Sequence, residues 1–472
     1  MKSSLLALYH RLPAPLRSAV ASLRGYQLRR LRYGADTDKL VAEALANDRR
    51  PLAELEQAAH ARLQAVLDRA ACDVPHYRRF WQQSGAGRDP ARLTDWPILE
   101  KDVLRHAARD FVADGCNPDV MISEHSSGTT GKPMHLYLAP EAIRRHYALF
   151  EARLHVWYGI TRHDRWAMLG GQLVAPVEQR KPPFWVWNAA MHQLYMSSYH
   201  LSREFVPHYL DALKRYRIKY LWGYSSSLYA LAQDALALGR DDLHMAVAVT
   251  NAEPLYAHQR EAIIQAFHCP VRETYGMSEI VASASECEAG KLHLWPESGI
   301  VEVVEGDTPV PLGQVGDLVC TGLLNIDMPL IRYRVGDRGA LDEDPAPCAC
   351  GLTLPRLKFI EGRIDDVLFT ADGRRVGRLD TVFKSDWPIR EAQIIQQRLD
   401  RVQLRYVPDP TYTSDIGAQM IAEMRKRLGD VQVELLPTDS IERTSNGKFR
   451  AVICNLPAEE RRQLGEALAS KP

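Results

Sequence analysis

The sequence of 472 residues contains no uninterrupted apolar run of the roughly 18 residues that a membrane-spanning helix requires. Its first residues also lack the long apolar core and the small-residue cleavage site of a secretory signal. These two absences argue against a helical membrane protein and against a secreted one. They predict a cytoplasmic location.

Neither charge sign is in excess. The 59 basic side chains equal the 59 acidic ones, so the balance gives no reason to expect a nucleic-acid partner. The distribution is nevertheless uneven, because seven basic residues precede Asp36, the first acidic residue: Lys2, Arg11, Arg17, Arg24, Arg29, Arg30 and Arg32. This amphipathic start either packs its apolar side on the protein body or contacts the inner face of a membrane peripherally.

Cysteine is too sparse for a disulfide scaffold, since eight cysteines are spread over the whole length. We therefore interpret them as reduced thiols or metal ligands. Three thiols and one imidazole form a candidate zinc site, with Cys287, His293, Cys348 and Cys350 as its ligands. This set leaves no position open for water, so the site would be structural. The alternative is four unrelated reduced side chains.

Hydrophobic periodicity divides the chain into three parts. Residues 1–115 are predicted to form a helical N-terminal region of a large domain. Residues 116–364, the core of that domain, alternate helices with short strands such as Ile218–Trp222 and end in a β-rich subdomain. Residues 365–472 are predicted to form a small α+β C-terminal domain. The predicted fold class is α/β, with a large domain of α/β sheets and a β-rich subdomain before this small domain.

A polar turn rich in glycine and hydroxyl groups is suited to a polyphosphate, which it can bind through backbone N–H groups, hydroxyls and an ammonium. It is not a Walker A loop, because only two residues separate Gly128 from Gly131 and Pro133 follows the lysine. An ordinary polar turn is the alternative. The candidate ATP-binding residues in this polyphosphate turn are Ser126, Ser127, Gly128, Thr129, Thr130, Gly131 and Lys132.

Two further loops follow short strands predicted at Met245–Val249 and Val271–Thr274. If these strands are parallel, both loops emerge at the edge of the sheet where ligands of open α/β sheets bind. Tyr275 offers a flat face for a base, and Glu279 offers an oxygen ligand for Mg²⁺. The candidate ATP-binding residues of the two loops are Ala252, Glu253, Pro254, Tyr275, Gly276, Met277 and Ser278.

Three later features and one earlier one complete the candidate site. Asp337 lies in a predicted turn between two strand-like runs, where its carboxylate either binds both ribose hydroxyls or satisfies its own backbone. Arg363 and Asp365 fall in a charged, glycine-containing segment that suits an interdomain hinge. Lys448 lies in a late polar loop. The aromatic-rich region of the candidate substrate pocket is either core or pocket wall, and includes Trp222, Gly223, Tyr224 and Ser225.

From about Ser123 to Arg450, the order of these motifs resembles that of the adenylate-forming superfamily of acyl- and aryl-CoA ligases. The resemblance implies that the protein uses ATP and Mg²⁺ to activate a small carboxylic acid as its acyl-adenylate, with release of pyrophosphate. It implies that Asp365 is the hinge about which the C-terminal domain turns. It also implies the catalytic residues Lys448, Glu279 and Arg363, with Glu279 as the Mg²⁺ ligand.

Within the superfamily, Ala252-Glu253-Pro254 and the pair Cys348 and Cys350 resemble the phenylacetate-CoA ligase branch, although Asn251 departs from the usual glycine. The long helical start resembles the CapK-like members, which are linked to capsular polysaccharide synthesis. The acyl acceptor would be a thiol, amine or hydroxyl, and CoA is one candidate. Two alternatives are an adenylyltransferase that leaves AMP on an acceptor hydroxyl, and a non-catalytic assembly factor at the membrane.

Overall fold

The computed structural model describes residues 3–84, 90–126, 134–176, 178–363, 368–370, 375–376, 387–444, 449–457 and 459–461. The chain divides into two units. Unit 1 comprises Met1–Ala252 and Ala262–Ile360, and unit 2 comprises Glu253–Glu261 and Glu361–Pro472. The predicted domain boundary at residues 364 and 365 lies outside the described residues.

Unit 1 begins with helices, as the periodicity predicts. Along the fourth of them, Leu63, Val66, Leu67 and Ala70 are buried at the spacing of one helix face, and they join the largest apolar core. The helices are α1 (Ser3–Arg11), α2 (Ala14–Arg32), α3 (Thr37–Asn47), α4 (Leu52–Asp73), α5 (Pro75–Ser84) and α6 (Lys101–His106).

Helix α2 packs on the body through small side chains and, near its end, through Leu31, which packs against a core cluster of unit 1. A Cβ added at Gly25 would lie 2.0 Å from Oδ1 of Asn188, so only glycine permits this approach. Leu16, Val20 and Leu23 are exposed on the same helix. These three residues therefore take no part in the packing of α2 on the body.

A long mixed sheet forms the body of unit 1. Its thirteen strands within the described residues have the order β12-β11-β13-β14-β15-β10-β9-β8-β7-β6-β3-β5-β4, while β1 and β2 pair separately. The strands are β1 (Ile122–Ser126), β2 (Met134–Leu138), β3 (Trp166–Gly170), β4 (Trp185–Asn188), β5 (Gln193–Ser197), β6 (Tyr220–Tyr224), β7 (Val247–Asn251), β8 (Val271–Gly276), β9 (Ser283–Glu286), β10 (Leu292–Leu294), β11 (Gly299–Glu305), β12 (Thr308–Pro309), β13 (Gly316–Gly322), β14 (Tyr333–Leu341) and β15 (Arg356–Arg363).

The centre of this sheet is parallel and the remainder is antiparallel. Strands β5, β3, β6, β7 and β8 run in one direction, and from β8 to β9 the pairing becomes antiparallel. Helices connect the parallel strands, as expected of a βαβ arrangement. Helix α8 (Val206–Arg215) lies between β5 and β6, α9 (Ser225–Ala237) between β6 and β7, and α10 (Ala257–Phe267) between β7 and β8, while α7 (Pro140–Phe150) precedes β3. The predicted α/β class and its β-rich part are confirmed.

Unit 2 contains a four-stranded sheet in the order β20-β19-β18-β21 and a short β16–β17 pair. Met420 and Met424, four residues apart on one helix, are fully buried against Ile394 and Leu404 of the sheet. This is the predicted α+β domain. Its elements are β16 (Leu368–Phe369), β17 (Arg375–Val376), β18 (Ile389–Arg398), β19 (Arg401–Pro408), α11 (Ser414–Leu428), β20 (Gln432–Pro437) and β21 (Val452–Cys454).

Candidate active site

The carboxyl ends of three parallel strands meet at one edge of the large sheet. Tyr224 at the end of β6 is paired with Asn251 at the end of β7, and β7 runs parallel to β8. The loop that begins at Ala252 and the end of β8 at Gly276 therefore emerge side by side. This edge is where ligands of open α/β sheets bind.

Tyr275 and Asp337, predicted to contact the base and the ribose, touch each other. The hydroxyl of Tyr275 donates a hydrogen bond of 3.0 Å to Oδ2 of Asp337. Burial, reinforced by this carboxylate, raises the pKa of the Tyr275 hydroxyl well above its usual value, so the hydroxyl remains a donor. Since a carboxylate offers about four lone-pair sites, Asp337 can also accept from the hydroxyls of a ligand.

Asp337 lies inside a strand, so the predicted turn at this position is wrong. Strand β14 runs from Tyr333 to Leu341 without interruption. Between its paired positions, residues 335–337 of β14 lie opposite Leu318 of β13 alone, and Gly336 has a φ of 79°. The extra residues form a bulge, which re-aims a side chain locally. Because glycine and aspartate are common turn residues, Gly336 and Asp337 made this segment look like a turn in the sequence.

Glu279, the predicted Mg²⁺ ligand, is buried. Its Oε1 accepts a hydrogen bond of 3.0 Å from the hydroxyl of Tyr333. That tyrosine is fully buried, and its hydroxyl also lies 3.8 Å from Sδ of Met134, the first residue of β2. Because Met134 follows the polyphosphate turn directly in sequence, the exit from that turn and Glu279 meet at one buried hydroxyl.

Three non-glycine residues with a left-handed backbone border this region: Ala252 with φ 62°, Ile280 with φ 49° and Arg332 with φ 48°. Such conformations cost on the order of 1–3 kcal/mol each and cluster at functional sites. Arg332 is held in place by its guanidinium, which donates 2.6 Å to the backbone oxygen of Trp96 and lies 3.0 Å from Glu302. The contacts with Trp96 and Glu302 thus hold Arg332, the residue directly before Tyr333, in position.

Lys101 is a residue of this site that the sequence motifs did not identify. Its ammonium lies 6.0 Å from the centre of the Tyr333 ring, and a Cβ added at Gly336 would lie 3.1 Å from it. The lysine begins α6, more than 200 residues before the bulge of Asp337. No local pattern in the sequence distinguishes it from other surface lysines, so only the fold reveals a positive charge beside the bulge.

The candidate substrate pocket contains one buried aromatic ring with a defined partner. Trp222 is buried and stacks on Phe150 of α7, with ring centres 5.0 Å apart and planes inclined by 22°. With its amide in the orientation that satisfies both polar atoms, Asn251 accepts from Nε1 of Trp222 at 3.2 Å and donates to the oxygen of Gly223 at 3.0 Å. Tyr224 is half-buried and Ser225 is fully buried. The asparagine at position 251, which stands where the resembled branch has glycine, therefore holds the indole ring of Trp222 in place.

Other predicted residues are only partly described. In unit 2, Glu253 accepts a hydrogen bond of 2.6 Å from the backbone N–H of Phe449. Pro254, Gly276 and Ser278 are exposed, and Met277 packs on the main core. Predicted site residues that lie outside the described residues are Ser127, Gly128, Thr129, Thr130, Gly131, Lys132, Asp365 and Lys448, together with the side chains of Ser126 and Arg363.

The four candidate zinc ligands converge in unit 1. The ligand atoms of Cys287, His293, Cys348 and Cys350 all lie within 4.8 Å of one another. Sγ of Cys287 is 3.7 Å from Sγ of Cys348, and Sγ of Cys350 is 3.5 Å from Nε2 of His293. Burial lowers the pKa of His293, which favours the neutral imidazole that a metal requires. Four unrelated side chains would not be expected to bring their ligand atoms this close to one another.

The chain was compared with known proteins. A family model for the CapK C-terminal domain matches residues 368–455. The protein CapK of Staphylococcus aureus is 26% identical over 382 residues, which cover 79% of this chain and 82% of CapK. The phenylacetate-coenzyme A ligase of Thermus thermophilus is 26% identical over 431 residues, which cover 80% of this chain and 92% of the relative.

Among solved structures, a 2-hydroxyisobutyryl-CoA ligase in the postadenylation state in complex with 2-HIB-AMP superimposes with a TM-score of 0.68. The two sequences are 22% identical, and the alignment covers 90% of this chain and 94% of that one. The fold match extends across almost the whole chain. Together with the matches in sequence, it shows that the chain is similar to CapK and to the phenylacetate-coenzyme A ligases and has the fold of the 2-hydroxyisobutyryl-CoA ligase.

Proposed function

We propose that the protein is an ATP-dependent ligase that activates a carboxylic acid as its acyl-adenylate and then transfers the acyl group to a thiol, with CoA as the first candidate. The observation that carries the proposal is the contact chain from Met134 through Tyr333 to Glu279. It joins the exit of the polyphosphate turn to the candidate Mg²⁺ ligand. The relatives named as CoA ligases support the same chemistry.

We assign a role in binding ATP to four residues, namely Tyr275, Asp337, Glu279 and Lys101. Tyr275 presents its ring to the adenine and keeps its hydroxyl on Asp337, whose carboxylate accepts from the ribose hydroxyls. Glu279 fits Mg²⁺, because it is a buried carboxylate that is aligned by the hydroxyl of Tyr333. When bound, Mg²⁺ supplies positive charge to the phosphates. The ammonium of Lys101 adds charge beside Asp337.

The reaction forms one bond and breaks one at the α-phosphorus of ATP. A carboxylate oxygen of the acid forms the new P–O bond, and the bond to the β-phosphate oxygen breaks, so pyrophosphate leaves with the electron pair. Charge therefore grows on the leaving oxygen. In this proposal the ammonium of Lys448 stabilises that charge, and loss of one such donor typically costs about 10²–10³ in rate.

The acid site is proposed beside the ring pair of Trp222 and Phe150. Burial lowers the pKa of His146 on α7 to about 4, so its imidazole is neutral at pH 7. Its Nδ1 is buried and has no hydrogen-bond partner among the described residues. His146 lies one helical turn before Phe150, on the same face of α7. These positions favour an acid with an apolar body and one polar substituent.

Zinc is proposed as a structural ion bound by Cys287, His293, Cys348 and Cys350. Zn–S bonds of about 2.3 Å and Zn–N bonds of about 2.05 Å in a tetrahedron require S···S near 3.8 Å and S···N near 3.6 Å. The observed distances of 3.7 and 3.5 Å match both. Nδ1 of His293 lies 3.1 Å from the oxygen of Leu354, which orients Nε2 toward the thiols. Bound zinc would join the β9–β10 hairpin to the segment before β15.

The test of function is a library of carboxylic acids incubated with the protein, ATP, Mg²⁺ and hydroxylamine. The proposal expects acid-dependent hydroxamate with one pyrophosphate released per hydroxamate, and thioester in place of hydroxamate when CoA is supplied. If no acid gives hydroxamate and AMP is found attached to an acceptor hydroxyl by mass spectrometry, the protein is an adenylyltransferase instead. As the process that uses the product we propose cell-surface polysaccharide synthesis, to which the CapK-like members that the helical start resembles are linked.

A further inference from the structure

Helix α2 carries a stripe of large apolar side chains that points away from the protein. Leu16, Val20 and Leu23 are spaced by four and three residues, so they share one helix face. Their side chains are 51%, 44% and 65% exposed. We call these three residues the outer stripe. On the preceding helix, Leu5 and Leu8 are exposed as well, at 55% and 59%. Single exposed leucines are ordinary, but an aligned series marks an interaction surface.

The opposite face of α2 is fixed to the sheet, so the outer stripe cannot turn inward. Gly25 packs directly on Asn188. The backbone N–H of Trp187 donates to Oγ of Ser18 at 3.2 Å, and the N–H of Ala189 donates to Oγ of Ser22 at 3.0 Å. Rotation of the helix would break these hydrogen bonds and force larger side chains into the space beside Gly25. Exposure of the outer stripe is therefore a property of the folded protein.

The charged side chains of α1 and α2 are of one sign. Neither α1 nor α2 contains an acidic residue, and the first acidic residue of the chain is Asp36. Arg24 and Arg30 are exposed on α2. On a helical wheel of 100° per residue, both lie within about 80° of the stripe. An apolar face bordered by arginines is complementary to a surface that is apolar inside and anionic outside.

We propose that the outer stripe and its flanking arginines form a docking surface for an anionic phospholipid membrane. The leucines and the valine enter the boundary between headgroups and acyl chains, and the arginines contact lipid phosphates. Among the described residues, no helix is long and apolar enough to cross the bilayer. In this proposal the docking is peripheral. Three apolar side chains on one helix give weak, reversible and salt-sensitive binding. The proposal does not depend on the catalytic function.

The test is cosedimentation of the full chain with vesicles of phosphatidylcholine alone, or of phosphatidylcholine with phosphatidylglycerol. The stripe variant replaces Leu16, Val20 and Leu23 by glutamine, which preserves helix propensity. Its matched control replaces three apolar residues elsewhere that are exposed to a similar extent, at 75%, 61% and 42%: Val120, Leu312 and Ile326. A third variant is R24Q/R30Q. Thermal melting verifies that all variants fold.

We expect the wild type to bind vesicles containing phosphatidylglycerol and to be released by salt. The stripe variant should bind at least about tenfold more weakly. The arginine variant should lose about fivefold per arginine, while the control variant binds as the wild type does. Two results would overturn the proposal: equal binding by wild type and stripe variant, or no preference for anionic vesicles. A wild-type dimer that the stripe variant dissociates would identify a second copy of the chain as the occupant, and would overturn it too.

Discussion

Replacement of Tyr333 by phenylalanine removes one hydroxyl from the centre of the candidate site. In the structure this hydroxyl donates 3.0 Å to Oε1 of Glu279 and contacts Sδ of Met134. The ring is fully buried in the main core, so phenylalanine retains the packing. The variant should fold, and the main change is that the carboxylate of Glu279 loses its donor.

The size of the effect follows from the charge of the acceptor. A hydrogen bond to a charged group contributes about 1.5–3 kcal/mol, and loss of a partner that orients a metal ligand typically costs about 10–100-fold in metal affinity or activity. We therefore expect Tyr333→Phe to reduce acid-dependent exchange of pyrophosphate into ATP by about 10–100-fold. Part of this loss should be recovered at high Mg²⁺, because the misaligned carboxylate binds the ion more weakly.

Tyr77→Phe is the matched control. Tyr77 is also buried in the main core, but its hydroxyl donates 3.2 Å to the oxygen of Pro329 and accepts 3.1 Å from the N–H of Ile331. It should lower the melting temperature without changing the Mg²⁺ dependence. If Tyr333→Phe lowers the melting temperature but leaves the Mg²⁺ dependence at the wild-type value, Glu279 does not hold the ion and the assignment fails.

Two further predictions concern the acid pocket and the cysteines. Asn251→Gly removes the hydrogen bond that holds the indole of Trp222, so the preferred acid should change. We expect about a tenfold or larger loss of kcat/KM for the original acid, while the KM for ATP stays the same. An unaltered acid preference would refute the role of Asn251. Purified protein should contain about one zinc per chain. The Cys350→Ser variant should contain no zinc and should melt at a lower temperature. The control, Cys72→Ser at an exposed cysteine, should change neither the zinc content nor the melting temperature. If Cys350→Ser leaves the zinc content unchanged, the proposed zinc site is wrong.

Local patterns were sufficient to predict the strands that organise the site. Predicted strands at Ile218–Trp222, Met245–Val249 and Val271–Thr274 correspond to β6, β7 and β8, because buried parallel strands have short apolar sequences bounded by turn residues. The convergence of Cys287 and Cys348 could be proposed from residue type alone, since thiols and imidazoles are the ligands of structural zinc.

Other features depend on contacts that the sequence does not contain. The bulge at Asp337 arises from the pairing of β14 with β13, which a local pattern cannot distinguish from a turn. Lys101 is brought to the site by tertiary packing. Helix α2 is positioned by the close approach of Gly25 to Asn188, which leaves Leu16, Val20 and Leu23 exposed.

The most direct measurement for the account is acid-dependent exchange of labelled pyrophosphate into ATP by the wild type and by Lys448→Ala, with ATP binding measured in parallel. The account predicts exchange by the wild type only when an acid is present. It predicts a loss of about 10²–10³ in the variant, with ATP affinity retained. Exchange in the variant at the wild-type rate would contradict the claim that a lysine ammonium stabilises the departing pyrophosphate.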